Sequence, residues 1–472
     1  MSTKYDVVIG LEIHAELNTA TKIFCRCANT AGGADVSEPN RNVCPTCMGM
    51  PGALPAVNRM AVEKSILAGM AFGCRINDVV MFERKHYFYP DLPSGYQLTQ
   101  LERPQCLGGG ITLSTGKLIR LNRIHLEEDA GKLVHDEVRG ETLVDLNRAG
   151  TPLIEMVTEP DISNAAEAVE FLEEVRSRLV YSGVADCKME EGGMRCDVNI
   201  SLKPAGAKKF GNRVEMKNLN SFKMVARAIE YETKRQAKLL DDGKAVAVQT
   251  RKWNDASGIS TPMRGKEQEV DYRYMPDPDQ LMIRITDGDV ARIKKTLPKL
   301  AHELRAEFVA MGLPEYDADI LTRDKDLTKF FINALGSYPS AKPLANWIMT
   351  HVLARATNYR IEISPVQLVS IIQMVDKKDI SQKNALEIID EIWGTEKDPK
   401  KVAKDKGFTN KVAAGEIEAI VVELMATNEK AVADYAEGPD KVVNFFMGQV
   451  MKRTGGRADS VVVKEIVVEK LS

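Results

Sequence analysis

The hydrophobic periodicity of the chain changes near residue 290, and this change limits the fold to a sheet-containing body followed by helices. Before that point, short runs with the two-residue alternation of β-strands, such as Tyr5–Ile9 and Leu153–Val157, are separated by Gly, Pro and Asn. After it, nearly every segment has the helical period, and Ser364 with Pro365, and Ser381, are residue types that begin helices. The sequence therefore predicts an α+β fold with a large mixed sheet, a helical bundle and a small helical tail.

The chain length of 472 residues is too large for one ordinary hydrophobic core, so several domains are expected. We predict a catalytic body over residues 1–292, a helical domain over 293–409 and a helical tail domain over 410–472. The stretch Gly394–Asn410, which is rich in Lys and Asp, is predicted to be a linker or a charged turn before the tail.

Composition narrows the class of protein. Hydrophobic residues make up 44% of the chain and charged residues 28%, as in globular proteins. No apolar run approaches the roughly 18–20 residues that span a bilayer, and the N-terminal residues lack the apolar core of a secretion signal. We therefore expect a cytoplasmic protein without membrane contact. The formal net charge of -3 provides no global positive field, so contacts to nucleic acid must come from local patches.

Two cysteine pairs form the most specific spacing in the sequence. Cys25 and Cys27 are followed after sixteen residues by Cys44 and Cys47, with small and turn-forming residues between the pairs. Zn²⁺ binds four soft ligands at tetrahedral corners, and two such pairs can supply them, so the spacing predicts a structural zinc knuckle. A redox pair at Cys44 and Cys47, or four unrelated buried cysteines, are the alternatives that the spacing leaves open.

Acidic residues occupy positions where a strand is normally apolar. Glu12 and His14 are two residues apart, so on a strand they share a face; Glu155 lies in an apolar run; and Asp197 follows a basic residue by two positions. The segment His125–Lys132 adds three more acids beside a Gly turn. Each acid alone is typical of an ordinary ion pair. Together they indicate Mg²⁺ held by oxygen ligands in a phosphoryl-transfer site, without a Walker A loop.

Several segments resemble one known family. The strings are VIGLEIHAEL, KHYFYPDLPSGYQLTQ, HLEEDAGK, LVDLNRAGTPLIEMVTEPDI, KMEEGGMRCDVNISL, EMKNLNSF and DYRYMPDPD, which are similar to the B subunit of the tRNA-dependent amidotransferases. The resemblance covers residues 5–290 and continues more loosely to FFMGQVMKRTGGRAD near the C-terminus. The paired cysteines occur in only part of that family, so the zinc prediction depends on their spacing.

The resemblance implies both a fold and a reaction. It implies a catalytic body like that of glutamine synthetase, which uses ATP and Mg²⁺ to phosphorylate the side-chain carboxylate of Glu-tRNA(Gln) or Asp-tRNA(Asn). Ammonia from an amidase, the A subunit, then displaces phosphate, and a small C subunit completes a heterotrimer. A carboxylate is a poor electrophile until one oxygen becomes a phosphate leaving group, which is why such a site needs cations and acids that hold them.

The resemblance also implies roles for individual residues. The residues assigned to Mg²⁺ and the phosphate site are Glu12, His14, Glu128, Glu155 and Asp197. Lys85 and Arg195 are assigned to binding phosphate or the developing negative charge, with surface cations as the alternative. Glu127 and Asp129 are less favoured as ligands than Glu128, because side chains alternate along a strand and theirs would lie on the other face.

Candidate RNA contacts come from two places. Tyr87 and Tyr89 are predicted to form a wall for the 3′-terminal adenosine, whereas Phe88 is expected in the core. Around a Gly-Gly turn in the tail, the candidate phosphate contacts are Lys452, Arg453 and Arg457. The alternative is that the tail packs on the helical bundle or on a partner protein.

Two other classes of protein fit part of the sequence. The first is an ATP-dependent ligase for a free amino acid, which the helical tail disfavours because a small substrate does not require one. The second is a non-catalytic RNA-binding scaffold with a zinc knuckle, which the four acidic segments disfavour because RNA binding favours basic segments. The sequence does not decide between Asp-tRNA(Asn) and Glu-tRNA(Gln) as substrate.

Overall fold

A computed structural model describes residues 4–32, 36–136, 138–263, 272–409, 412–436, 438–456 and 458–471. The chain forms two compact units, Met1–Ala301 and His302–Ser472. The first contains the strands and the second is helical, so the predicted α+β class with a mixed sheet is confirmed. The division into three domains stays a prediction.

The strands lie in the first unit. In chain order they are β1 Tyr5–Glu16, β2 Arg75–Ile76, β3 Val79–Val80, β4 Glu83–His86, β5 Tyr96–Thr99, β6 Cys106–Leu107, β7 Gly110–Thr112, β8 Leu118–Glu128, β9 Lys132–Asp136, β10 Glu141–Asp145, β11 Pro152–Thr158, β12 Met194–Pro204, β13 Val214–Lys217, β14 Gln249–Asn254, β15 Ile259–Pro262, β16 Met275–Pro276 and β17 Ile283–Arg284.

The α-helices are fewer in the first unit than in the second. They are α1 Arg59–Ala71, α2 Ala165–Tyr181, α3 Phe222–Asp241, α4 Asp287–Lys294, α5 Ala301–Ala310, α6 Glu315–Leu321, α7 Lys325–Leu335, α8 Ala341–Trp347, α9 Pro365–Asp376, α10 Gln382–Ile392, α11 Pro399–Asp405, α12 Ala414–Thr427, α13 Glu429–Ala433, α14 Pro439–Arg453 and α15 Ser460–Leu471. No described helix is both long and apolar enough to cross a bilayer.

The main sheet has the strand order β15-β14-β13-β12-β1-β11-β8-β6-β2, with β7 added beside β8. All of its pairs are antiparallel except β13 with β14, which is why the sheet is mixed. Helix α3 packs on β12 and against α2, and α1 packs on β8. The alternating side chains Leu11, Ile13 and Ala15 of β1 are fully buried, so one face of the sheet belongs to the core and the other presents polar side chains.

Capping side chains mark the first turns of several helices. The side chains of Asn164 and Ser221 accept hydrogen bonds from the first turns of α2 and α3. Ser364 forms a capping box at α9 with Pro365 in the first turn, and Ser381 caps α10. The predicted helix starts at Ser364 and Ser381 are confirmed.

The predicted linker Gly394–Asn410 is wrong in its middle part. Helix α11 lies within it, because Asp398 accepts a hydrogen bond from the backbone N–H of Lys400 and Pro399 has the backbone angle of a first helical turn. The charged composition of this segment therefore did not indicate the short capped helix that it contains.

The last helices have a hydrophobic core of their own. Its buried residues are Ile417, Val421, Val442, Val443, Phe446, Val450, Ala458, Val463 and Val467, contributed by α12, α14, α15 and the turn before α15. Two neighbouring phenylalanines show the inner and outer sides of α14: Phe446 is fully buried, whereas Phe445 is 40% exposed.

Replacing Phe446 with Ala should destabilise this core by about 3–5 kcal/mol, because a large buried side chain is lost and a cavity remains. Hydrogen exchange should show faster opening of α12, α14 and α15, with little change in the main sheet. Phe445→Ala is the matched control and should have a much smaller effect. Equal destabilisation by the two variants would contradict the assignment of the inner side.

Candidate functional site

Four neighbouring strands bring the predicted acidic segments together on the polar face of the main sheet. On β1, His14 lies opposite Glu155 of β11 on one side and opposite Arg195 of β12 on the other. Glu155 in turn lies opposite His125 of β8. Cross-strand partners share a face, so strand register alone assembles one continuous group of charged side chains.

The centre of this face is a cluster of two histidines and two carboxylates. His14 Nε2 lies 3.3 Å from Glu127 Oε1 and 3.6 Å from Glu155 Oε2. His125 Nε2 lies 3.2 Å from the same oxygen of Glu155 and 3.9 Å from Glu127 Oε2. Thr99 also donates to Glu127, at 3.4 Å. His125 and Glu127 are buried, so most of this charge is shielded from water.

The electrostatics of the cluster follow from its geometry. Burial lowers the pKa of His14, but hydrogen bonds to Glu127 and Glu155 outweigh it and raise the pKa to about 10. Burial raises the pKa of Glu155, but the charges of His125 and His14 hold it well below its usual range. A proton on His14 therefore contributes positive charge that stabilises the two carboxylates.

Beside this centre, β12 and β13 contribute further polar groups. Glu12 Oε1 accepts a hydrogen bond of 2.9 Å from the Asn199 amide, and Lys217 Nζ lies 2.6 Å from Asp197 Oδ2 and 2.9 Å from Glu215 Oε1. Burial and then the neighbouring Glu155 raise the pKa of Glu12. The predicted residues Glu12 and Asp197 thus lie on the polar face, although Asp197 is neutralised by a lysine that the prediction missed.

Arg195 belongs to a separate ion-pair chain at the edge of this face. It contacts the carboxylate of Asp129, which Arg148 also reaches with Nε at 3.3 Å. Burial and then Asp129 raise the pKa of Glu16, whose Oε1 lies 3.8 Å from Arg195, to about 7. Arg195 thus has partners, yet its side chain is 43% exposed and keeps an open side.

The structure separates Glu128 from the cluster, which corrects the predicted choice of Glu128 over Glu127. In the β8–β11 register Glu128 is opposite Pro152, one residue beyond the Glu127–Leu153 pair, so its side chain points to the other face. Its Oε1 accepts a hydrogen bond of 2.9 Å from the backbone N–H of Leu98. Burial raises the pKa of Glu128 to about 8, which makes it a neutral interior group near pH 7.

Lys85 approaches the cluster from the three-stranded sheet formed by β16, β4 and β5. Its Nζ lies 4.8 Å from the ring centre of Tyr272. Burial lowers the pKa of Lys85, but Tyr274, Glu127 and Glu155 outweigh it and raise the value. A cation close to two site carboxylates is suited to bind a phosphoryl oxygen.

His14, Glu127 and Glu155 have the donor set and spacing for a divalent cation. One ligand atom from each lies within 4.8 Å of the other two. Mg²⁺ takes oxygen ligands at roughly 2.0–2.1 Å, so two converging carboxylates are suitable ligands for it. The sequence prediction did not place His125 and Glu127 in the site together. Strand alternation in HLEEDAGK is the signal that indicates this pair, since His125 and Glu127 are two residues apart and share a face.

The four predicted cysteines also converge. Cys47 Sγ lies 3.6 Å from Cys25, 3.7 Å from Cys44 and 3.8 Å from Cys27. For a zinc–sulfur distance of about 2.3 Å, the edges of a regular tetrahedron are about 3.8 Å long. The cluster can therefore hold a metal ion such as zinc.

The aromatic residues considered as RNA contacts differ in how exposed their side chains are. Tyr87 is half-buried with its ring 6.1 Å from that of Tyr272, and Tyr89 is exposed. Phe88 is 79% exposed, so its predicted core position is wrong: its side chain lies against Gly95 at the surface instead.

In the tail, the two described candidate phosphate contacts differ in their surroundings. Arg453 is paired with Glu423 at 2.6 Å, whereas Lys452 is exposed. Arg457 lies outside the described residues. The Gly455-Gly456 turn approaches Ser381 at the start of α10, which favours a packing role for the turn itself.

The α+β body thus carries two possible metal sites, one of carboxylates and histidine and one of cysteines. The family model described as "GatB/GatE catalytic domain" matches residues 7–291, and the one described as "GatB domain" matches residues 329–471. A relative from Thermoanaerobacter pseudethanolicus, named as the B subunit of an aspartyl/glutamyl-tRNA(Asn/Gln) amidotransferase, is 44% identical over 99% of this chain and 100% of its own length. Relatives of the same name from Caldicellulosiruptor saccharolyticus and Geotalea daltonii are each 45% identical over 99% of both chains. The chain therefore belongs to the family of aspartyl/glutamyl-tRNA(Asn/Gln) amidotransferase B subunits, which confirms the resemblance found in the sequence.

Replacing Glu127 with Gln should weaken Mg²⁺ or Mn²⁺ binding at least as much as the roughly 10–100-fold loss typical of changes to groups around a metal ligand. Glu128→Gln should leave that affinity unchanged, because Glu128 faces away and its carboxyl is already neutral near pH 7. Titration of Mn²⁺ followed by electron paramagnetic resonance distinguishes the two variants. Loss of affinity in Glu128→Gln but not in Glu127→Gln would contradict the observed register.

Purified protein should contain about one zinc ion per chain, and Cys44→Ser should lower this content and destabilise the first unit, because structural zinc contributes folding energy. Elemental analysis and thermal unfolding measure both effects. Cys74→Ser is the control, since Cys74 lies outside the cluster. Wild-type protein prepared without chelator and free of zinc would contradict the assignment.

Proposed function

We propose that this chain activates and amidates the Glu of Glu-tRNA(Gln), the Asp of Asp-tRNA(Asn), or both. The observation that supports this most strongly is the 44–45% identity, over nearly the full length, to relatives named for that transfer. The polar face of the main sheet agrees with it, because it gathers the groups that a phosphoryl transfer to a carboxylate requires.

The proposed reaction has two steps. A side-chain carboxylate oxygen of the esterified amino acid attacks the γ-phosphorus of ATP, and ADP leaves with the electron pair of the broken bond. Ammonia then attacks the acyl carbon of the resulting acyl phosphate, and inorganic phosphate leaves with the former carboxylate oxygen. The ammonia nitrogen loses a proton, and the product is the amide of Gln-tRNA(Gln) or Asn-tRNA(Asn).

The residues of the cluster have distinct roles in this proposal. His14, Glu127 and Glu155 would hold Mg²⁺, with Glu12 and Asp197 on the same face of the sheet. A bound Mg²⁺ would supply positive charge to the phosphate oxygens. Lys85 and Arg195 would bind phosphate oxygens beside the cluster. Because these charges are fixed by strands rather than loops, they are preorganised for the charge that develops during transfer.

Other parts of the chain support this activity in the same proposal. The body over residues 1–292 has an arrangement like that of glutamine synthetase, and zinc at the four cysteines stabilises its N-terminal part. The tail domain over residues 410–472 binds the tRNA through Lys452, and Tyr87 and Tyr89 of the body lie near the 3′ end of the tRNA. An amidase, the A subunit, provides ammonia and a small C subunit completes the complex, which works in the cytoplasm.

Replacing His14 with Ala should lower the rate of amidation by at least about a hundredfold, even with ammonia supplied directly, because activation precedes amidation. Glutamine hydrolysis by the partner amidase should stay near normal, as should tRNA affinity. His135→Ala is the matched control, since His135 is an exposed histidine on the β9–β10 hairpin.

The assay uses purified complex with Glu-tRNA(Gln) and Asp-tRNA(Asn) in separate reactions, ATP, and either glutamine or ammonium. Near-normal turnover of His14→Ala with ammonium would reject the proposed role of the cluster. Turnover of free glutamate but not of the aminoacylated tRNA by wild-type protein would instead indicate a small-molecule ligase.

A further inference from the structure

Lys22 is a fully buried lysine whose three N–H donors have three acceptors. Its Nζ lies 3.0 Å from the carbonyl oxygen of Asn42, 3.3 Å from that of Leu146 and 3.4 Å from Cys47 Sγ. The residue is 0% exposed. An ammonium group has three donors and no acceptor, so this arrangement uses all of its hydrogen-bonding capacity.

A buried cation needs an anion nearby, since burial of an unpaired charge is costly. Among the described acceptors of Lys22, the two carbonyls are neutral, so the sulfur of Cys47 is the group that can carry the opposite charge. Four thiolates around a divalent zinc ion leave a net charge of about −2, and one adjacent ammonium halves it. The position of Lys22 therefore matches the negative charge of a Cys47 thiolate, which is the form of cysteine that binds a metal ion.

The same lysine connects the cysteine knuckle to the edge of the polar face. Besides the contact of Lys22 with Leu146, the backbone N–H of Asn42 donates to Asn147 Oδ1 at 2.9 Å. The backbone N–H of Ile23 donates to the Gly150 carbonyl at 2.8 Å. Within the knuckle loop, Asn40 Oδ1 also accepts a hydrogen bond of 2.8 Å from the backbone N–H of Leu146, and the Glu38 carbonyl accepts one of 2.7 Å from the Asn147 amide. Several hydrogen bonds therefore join the knuckle to the turn between β10 and β11, and Lys22 provides the one that also reaches a cysteine.

That turn positions charged groups of the site. Its Arg148 reaches Asp129 at 3.3 Å, and the backbone N–H of Gly150 donates to the Asp129 carbonyl at 2.9 Å. Asp129 in turn contacts Arg195. A displacement of the turn would therefore move Arg195, one of the proposed phosphate-binding cations.

We propose that Lys22 is a positioning residue: it compensates the charge of the metal-bound Cys47 thiolate and, through Leu146, couples the metal knuckle to the turn that holds Arg148 and Asp129. The coupling to Arg195 rests on the proposed function, whereas the contact with the thiolate rests only on the four-cysteine site. Lys22 does not touch the reacting groups, so its effect on the reaction is indirect.

The test compares Lys22→Met with Lys64→Met in the full-length chain. Lys64 is a matched control, because its Nζ also joins two chain segments by donating to two oxygen atoms, Asn18 Oδ1 and the Gly183 carbonyl. Lys22→Met should weaken zinc binding by roughly 10–100-fold in a competition with a chromophoric chelator, as is typical for loss of a group that hydrogen-bonds a metal ligand. Lys64→Met should leave zinc affinity unchanged.

A spectroscopic measurement separates the electrostatic role from a merely structural one. In protein loaded with Co²⁺, the sulfur-to-cobalt charge-transfer bands should move to lower energy in Lys22→Met, because a thiolate without its hydrogen-bond donor is more easily oxidised. Lys22→Arg, which keeps the charge, should move them less. Unchanged zinc affinity and unchanged bands in Lys22→Met would overturn the proposal.

If Lys22→Met does not fold, the proposal can still be tested with wild-type protein. Lysine acetylation followed by mass spectrometry should find Lys22 protected in zinc-loaded protein and reactive after chelation. Ready acetylation of Lys22 in zinc-loaded protein would overturn the proposal, since the ammonium group would then not be held by the metal-bound Cys47 thiolate. None of these measurements uses ATP or tRNA, so their failure is distinguishable from failure of the amidation assay.

Discussion

The register of β8, β11, β1 and β12 is the constraint on which the candidate site depends. Side chains alternate between the two faces of a sheet, so these strands give most of their apolar positions to the core and, apart from Glu128 at the end of β8, their site carboxylates and histidines to the other face. A slip of one residue in any strand would bury charges under the helices and expose Leu11 or Ile13. The packing that stabilises the sheet is therefore also what fixes His14, Glu155 and their neighbours.

The electrostatics explain why such a face can be stable before it binds anything. Buried carboxylates are costly alone, but His14 and His125 lie between Glu127 and Glu155, and Lys217 and Arg195 neutralise the acids at the margins. A divalent cation would replace the proton on His14 as the central positive charge. The ordinary requirements of a folded interior and the requirements of phosphoryl transfer are met by the same contacts.

Much of this arrangement could be predicted from the sequence, because its signals are local. The capping residues fix the starts of α9 and α10, the pair spacing brings four cysteines together, and the two-residue separation of Glu12 and His14 sets their face. The choice between Glu127 and Glu128 was wrong because a single strand does not reveal which of two adjacent acids faces the core. That information comes from the pairing of β8 with β11, which is a non-local property. Other features also depend on distant parts of the chain: Phe88 is exposed because its surroundings are set by the turn at Gly95, and no spacing in the tail indicates the ion pair that joins α14 to α12.

The central claim is that the carboxylate of the amino acid on tRNA is itself phosphorylated at this face. The most direct measurement uses Glu-tRNA(Gln) labelled with ¹⁸O in the side-chain carboxylate, with ATP, ammonium and the purified complex, and determines the isotope content of the released phosphate by mass spectrometry. The account predicts one ¹⁸O transferred to phosphate for each amide formed, because the attacking oxygen leaves with phosphorus. Amide formation with unlabelled phosphate would contradict the account, since it would require activation by a route that leaves the carboxylate oxygen elsewhere.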